Sequence, residues 1–127
     1  MIIIGHRIIG CDTFTHINSI DEISSTASNS TVVLNYDLNI MDYCFRNNIK
    51  YAVKISKISE SVFANNLNAK YIIVEQSISK EIQNIAENYM FDSKVIVIIN
   101  NDDEIDNVAN QGIDGVIYKV FLEGSKK

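Results

Sequence analysis

Five side chains stand where a short apolar run gives way to polar residues: Asn35, Asp37, Glu75, Asn100 and Lys119. Two carboxylates, two amides and an ammonium can ligate a cation, clasp a phosphate or neutralise one another. The plainer role is an ion pair plus helix caps, since Asp and Asn at such junctions also accept from the first N–H groups of a helix. Other groupings promise less chemistry. His6, Cys11, Asp12 and His16 lie close in sequence but match no zinc spacing. Asp102, Asp103 and Glu104 open a helix, where the helix dipole favours acids. The few glycines form neither GxGxxG nor GxxxxGK. Lys54 falls inside an apolar run, where a lysine more commonly snorkels from an edge than forms a Schiff base. Neither cysteine nor histidine sits at an assigned strand end, so no nucleophile and base are paired. No catalytic residue, metal ligand or cofactor is expected, and the balance leans against an enzyme.

These residues need a scaffold that gathers strand ends, and Lys94 to Leu122 shows its grammar. Ile96 to Ile99 is a continuous β-branched run, as in a strand buried on both faces of a parallel sheet. Asn100 to Glu104 supplies caps, Ile105, Val108 and Ala109 give a helix one apolar face, and Gly112 ends it. Asp114-Gly115 then turns the chain into a strand at Val116 to Tyr118. Upstream the pattern repeats. Strands are predicted at Val32 to Leu34, Tyr51 to Ile55 and Tyr71 to Val74. Helices run through Ile40, Cys44 and Phe45, and through Val62, Phe63 and Leu67. The clearest helix carries Ile78, Ile82, Ile85, Ala86, Tyr89 and Met90 at helical spacing, with Ser77 or Ser79 as its cap. Alternation of this kind predicts parallel strands joined by right-handed crossovers.

The amino-terminal stretch is less regular. Ile2-Ile3-Ile4 and Ile8-Ile9 flank Gly5-His6, which suits a small hairpin or a flattened edge segment. Thr13 to Ile17 reads as a strand, and Ile20 and Ile23 as a short helix. The whole chain, 1–127, is expected to be one α/β domain. Residues 1–30 form an extension that adds a strand and a short helix, and 123–127 form a flexible tail.

Composition narrows the partners. A net charge of −5 and a pI near 4.9 leave no basic surplus for a nucleic-acid backbone or an acidic membrane surface. No stretch is long enough to span a bilayer. Cys11 and Cys44 are far apart with no CxxC, which fits a reduced, cytoplasmic setting. The partners left are another protein or a second copy of the chain; Tyr89-Met90-Phe91 is one candidate contact surface.

The stretch VIVIINNDDEIDNVANQGIDGVIYKVF resembles the end of a response-regulator receiver domain, with Gly112, Asp114, Lys119 and Phe121 matching in place. Lys70 to Glu75 is similar to the receiver's third strand and Val32 to Asp37 to its first. The resemblance implies a three-layer α/β/α domain, flavodoxin-like, around a mainly parallel sheet of five to six strands; a (β/α) half-barrel with strands in sequential order is the alternative. It also implies incomplete phosphoryl chemistry. Glu75 stands where the phospho-accepting Asp would lie, the acid pair is reduced to Asp37, and Val120 replaces a proline. Only eight residues follow Lys119, which leaves no fifth helix and one groove of the sheet open. The expected function is a non-catalytic regulatory or protein-interaction domain in which Lys119 pairs with Glu75 or Asp37. The alternative is a small protein that binds a phosphorylated or nucleotide ligand at the carboxyl-end rim.

Overall fold

The computed structural model describes residues 1–124. Its strands are β1 (Ile2–Ile4), β2 (Phe14–His16), β3 (Thr31–Asn35), β4 (Tyr51–Lys54), β5 (Tyr71–Val74), β6 (Lys94–Ile99) and β7 (Gly115–Tyr118). Five α-helices follow β3 to β7 in turn: α1 (Leu38–Arg46), α2 (Ile58–Asn66), α3 (Gln76–Asn88), α4 (Ile105–Asn110) and α5 (Lys119–Gly124). A 3-10 helix, Ile20–Ser25, follows β2, and another, Asp102–Glu104, leads into α4.

All neighbouring strands are parallel, and the sheet has seven strands in the order β1-β7-β6-β5-β4-β3-β2. This corrects the expected count of five to six: the amino-terminal segment adds two strands, one to each edge. From β2 to β7 the order is sequential, so the sheet is not doubly wound. It curls into a half-barrel, the arrangement held as the alternative. With right-handed crossovers and no reversal of order, α1 to α4 all pack on the convex side.

The two faces of the sheet have separate cores. Outward residues such as Leu34, Val53, Ile72, Val97 and Val116 pack against Met41 and Cys44 of α1, Ala64 of α2, Ile82 and Ala86 of α3 and Val108 of α4. Inward residues form a second cluster, with Ile4, Phe14, Val33, Ala52, Ile73, Ile96, Ile98 and Ile117 all buried. Among the described residues, the inner cluster takes only Leu122 and Phe121, both from α5, as helical partners.

Aromatic contacts show the curl directly. Phe14 of β2 stacks on Tyr71 of β5 with ring centroids 5.8 Å apart, and meets Phe121 edge-on at 5.7 Å. In a flat sheet, β2 and β5 would lie three strand spacings apart, about 14 Å. A fifth helix, expected to be absent, is therefore present, and the groove expected to stay open is filled from within by this short α5 and by Phe14. Glu123 and Gly124, placed in a flexible tail by the sequence reading, belong to α5; 125–127 lie outside the described residues.

Local sequence explains most element ends. Asp37 caps α1, accepting from the N–H groups of Asn39 at 3.0 Å and Ile40 at 3.1 Å. Asn101 and Glu104 make a reciprocal capping box before α4. The left-handed Gly112, at φ 72°, follows the end of α4. The strongest helix departs from expectation: Glu75, not Ser77 or Ser79, is its N-cap residue and gives no side-chain cap. Ser79 instead donates back to the Gln76 carbonyl at 3.0 Å, one turn into the helix.

Candidate functional site at the mouth of the half-barrel

Side chains alternate across a strand, so a residue two beyond an inward core residue faces inward again, one layer nearer the carboxyl end. His16 follows Phe14 by this step, Asn35 follows Val33, and Lys54 follows Ala52. Glu75 follows Ile73, Asn100 follows Ile98, and Lys119 follows Ile117. The inner core thus ends in a polar layer at the carboxyl-end mouth. His16, Asn35, Lys54, Glu75, Lys119 and Glu123 line one recess there of about 80 Å³, floored by Val33, Ile98 and Leu122.

Within it, Lys54 Nζ lies 3.2 Å from Glu75 Oε2, with the two side chains 41% and 57% exposed. A pair that wet contributes little to stability, about 0–1 kcal/mol. Its effect is to fix a neutral couple on one wall. Lys119, expected to pair with Glu75 or Asp37, has no carboxylate within ion-pair distance among the described residues. Glu123, one helical turn further along α5, stays outside that distance.

Of the five residues singled out in sequence, Asn35, Glu75 and Lys119 are brought together. Asp37 is not: its carboxylate is turned to the α1 N-terminus, beside a separate hollow of about 100 Å³ that Asn35 and Tyr36 also line. Asn100 does not line the recess either. Its N–H donates to Glu104 Oε2 at 2.5 Å, and Asn101 N–H to the same oxygen at 2.9 Å. Those two N–H groups, with the Gln76 amide, hold the Glu104 carboxyl below its usual range. Lys54 and His16 were missed. Both could have been found by carrying the inward alternation of their strands one step further.

A second polar cluster borders the mouth, where β6, β7 and β1 end. Tyr118 donates its hydroxyl to Asp102 Oδ1, and His6 Nε2 lies 3.6 Å from Asp102 Oδ2. His6 Nδ1 accepts from the Ile8 N–H at 3.1 Å, and its ring meets Tyr118 edge-on at 5.7 Å. The Tyr118 hydroxyl and the nearby His6 lower the Asp102 pKa. Burial and the Asp102 bond push the Tyr118 phenol up to about 12. His6 is thus held at one nitrogen by backbone and at the other lies near a carboxylate. This cluster fastens the loop after β1 to the loop after β6.

Among the described residues no group of three His, Cys, Asp or Glu side chains could hold a metal ion. No helix among them is long and apolar enough to cross a membrane. Compared with protein-family models and with curated proteins, the chain matches none.

Proposed function

We propose that this protein is a non-catalytic binding domain that takes the anionic head group of a small molecule, of the phosphate-bearing class, at the mouth of the half-barrel. The observation that carries this reading is Lys119: it lines the recess without a carboxylate partner among the described residues, beside a Lys54 already matched by Glu75. An anion there gains a charge-assisted contact to Lys119 and breaks no existing pair. Asn35 adds an amide that can donate to it. The recess has about the room of two to three waters, so it suits a head group whose remainder lies in solvent.

The test is thermal denaturation with inorganic phosphate, sugar phosphates and nucleotides. A ligand that binds only the native state raises the melting temperature as its concentration passes Kd. The expected result is stabilisation by at least one phosphate compound that is lost in Lys119→Ala. Stabilisation by none of them, or the absence of any compound whose stabilisation depends on Lys119, rejects the proposal.

One observation favours the protein-interaction reading beside it. Tyr89 and Met90, at the end of α3, are 72% and 85% exposed rather than packed in the core. Phe63 of α2 is also exposed. The concave side is filled by Phe14, Phe121 and Leu122, so self-association would use this convex side. Sedimentation equilibrium of the wild type and of Met90→Lys tests it: a dimer in the first and a monomer in the second is expected, and a wild-type monomer removes this reading.

A further inference from the structure

The opposite end of the sheet carries a larger cavity, and its construction repeats. Asn48, Asn68 and Met90 follow α1, α2 and α3 with φ of 55°, 61° and 50°, each turning the chain back toward the next strand. At the strand entrances stand Lys50 before β4, Lys70 before β5 and Lys94 opening β6. The fourth junction has Asp114 in this place, and there the residue is structural. Its carboxylate accepts from the Val95 N–H at 2.9 Å, and its own N–H donates to Gln83 Oε1 at 2.9 Å.

Lys50, Lys70 and Lys94 line one groove of about 580 Å³ together with the Asn48 and Asn68 amides. Lys70 is held by Asp12 at 2.5 Å. Lys50 and Lys94 have no ion-pair partner, and the two amide side chains no hydrogen-bond partner, among the described residues. The amino-end face of a parallel α/β sheet ordinarily serves stability. Asn48, Lys50, Asn68 and Lys94 are all exposed, so solvent satisfies them and a ligand with anionic acceptors can take its place. The groove lies within the 300–1,000 Å³ range usual for small-molecule sites. Lys50 and Lys94 line it without an ion pair among the described residues, Lys50 acting on Asp12 only at longer range, in a chain whose net charge is −5. Phe45, 40% exposed, offers an apolar wall, and Asp92 one acceptor.

We infer that this groove binds a nucleoside monophosphate, with the phosphate between Lys50 and Lys94, the base along Phe45 and an exocyclic amine toward Asp92. The site is separate from the mouth, and its volume admits a ring system that the mouth does not.

The experiment is titration of isotope-labelled protein with AMP, adenosine and inorganic phosphate, followed by amide NMR. AMP is expected to shift the amides of Asn48, Ala69 and Ser93, with adenosine binding more weakly. Removing two charged hydrogen-bonding groups in Lys50→Ala/Lys94→Ala should weaken AMP by at least about tenfold, while Lys119→Ala leaves it unchanged. The double variant should melt within a degree or two of wild type, which separates a binding role from a stabilising one. No groove shifts at millimolar AMP overturns the inference, as does AMP binding that depends on Lys119 but not on Lys50 and Lys94. A double variant that loses AMP only because it unfolds would assign the lysines to stability and overturn it as well. The mouth proposal stands or falls separately, on the Lys119 dependence of phosphate stabilisation.

Discussion

Asp12 ties distant parts of the chain through one carboxylate. Its Oδ2 accepts from Lys70 at 2.5 Å and from Thr31 at 3.3 Å, so the approach to β2 is pinned to the entrances of β5 and β3. The Lys70 hydrogen bond lowers the Asp12 pKa against the opposing effect of burial. A carboxyl whose folded pKa is depressed below its unfolded value of 3.8 contributes stability well above that pH. The contribution is lost as pH falls through the folded value. Asp12→Asn should therefore cost stability at neutral pH, and urea titrations should show the gap between variant and wild type narrowing as the pH falls below the unfolded value of 3.8 and through the folded one. Both side chains are about a third exposed, so the cost should stay near about 1 kcal/mol. Tyr51 makes a drier contact. It is fully buried, and its hydroxyl donates to the Leu67 carbonyl at 2.8 Å, linking β4 to the end of α2. Tyr51→Phe removes that bond and strands the carbonyl, an expected loss of about 1 kcal/mol in denaturant unfolding at any pH below the phenol's range. At this scale the sequence was partly legible. Asn35, Glu75 and Lys119 were found because they end apolar runs, whereas Lys54 was read as an edge lysine because its run continues through Ile55. Asp37 was claimed by the helix it precedes, which the nearness of Leu38 to Ile40 already permitted.

The strands after residue 30 were written plainly. Strands predicted to start near 32, 51, 71, 95 and 115 begin at 31, 51, 71, 94 and 115, because buried β-branched runs bounded by left-handed Asn and Gly turns leave little room for error. The short pieces were harder. Ile2–Ile4 is a strand, but Ile8 and Ile9 are not: both are exposed in the loop that joins the two edges of the sheet. Phe121 and Leu122, beyond the strand predicted at Val116 to Tyr118, form the inward face of a helix that was not expected, α5. Their placement makes Gly5 critical. Gly5 has φ 91°, a region open to glycine, and a Cβ added there would stand 2.5 Å from Phe121 Cβ. Gly5→Ala combines backbone strain with overpacking and should lower stability by about 2 kcal/mol, and more if α5 lifts from the concave side. Gly10 in the same loop has nothing within 4 Å of an added Cβ, so Gly10→Ala should stay within about 0.5 kcal/mol. Equal effects from the two substitutions in thermal denaturation would mean that α5 does not seat against Gly5 as described.

At the scale of the molecule, strand order was the part the sequence left open, for a physical reason. A strand in a doubly wound sheet is apolar on both faces because helices cover both. A strand in a curled sheet is equally apolar because its inner face packs on the other inner faces, as Val33, Ala52, Ile73, Ile96 and Ile117 do here. The two folds therefore write the same runs of Val and Ile. They differ in which strand is exposed along its edge. In the flavodoxin-like order 2-1-3-4-5, counting strands from β3, β4 would be an edge strand with one side unpaired. In the half-barrel, β4 lies between β3 and β5: Ala52 is paired with Val33 on one side and Tyr71 on the other, and Val53 with Leu34 and Ile72. The edges are instead β1 and β2, each three residues long and bonded along one side only. Native-state hydrogen exchange separates these orders, because amides bonded inside a sheet open only with large-scale unfolding, whereas edge strands fray. The amides of Ala52, Val53 and Lys54 should exchange as slowly as those of Ile72, Ile73 and Val97, and those of Ile3 and Thr15 orders of magnitude faster. Fast alternate amides in β4 would return it to an edge and scatter His16, Asn35, Lys54, Glu75 and Lys119. Slow ones would hold those five side chains around the same mouth, which is the condition for any ligand to be recognised there.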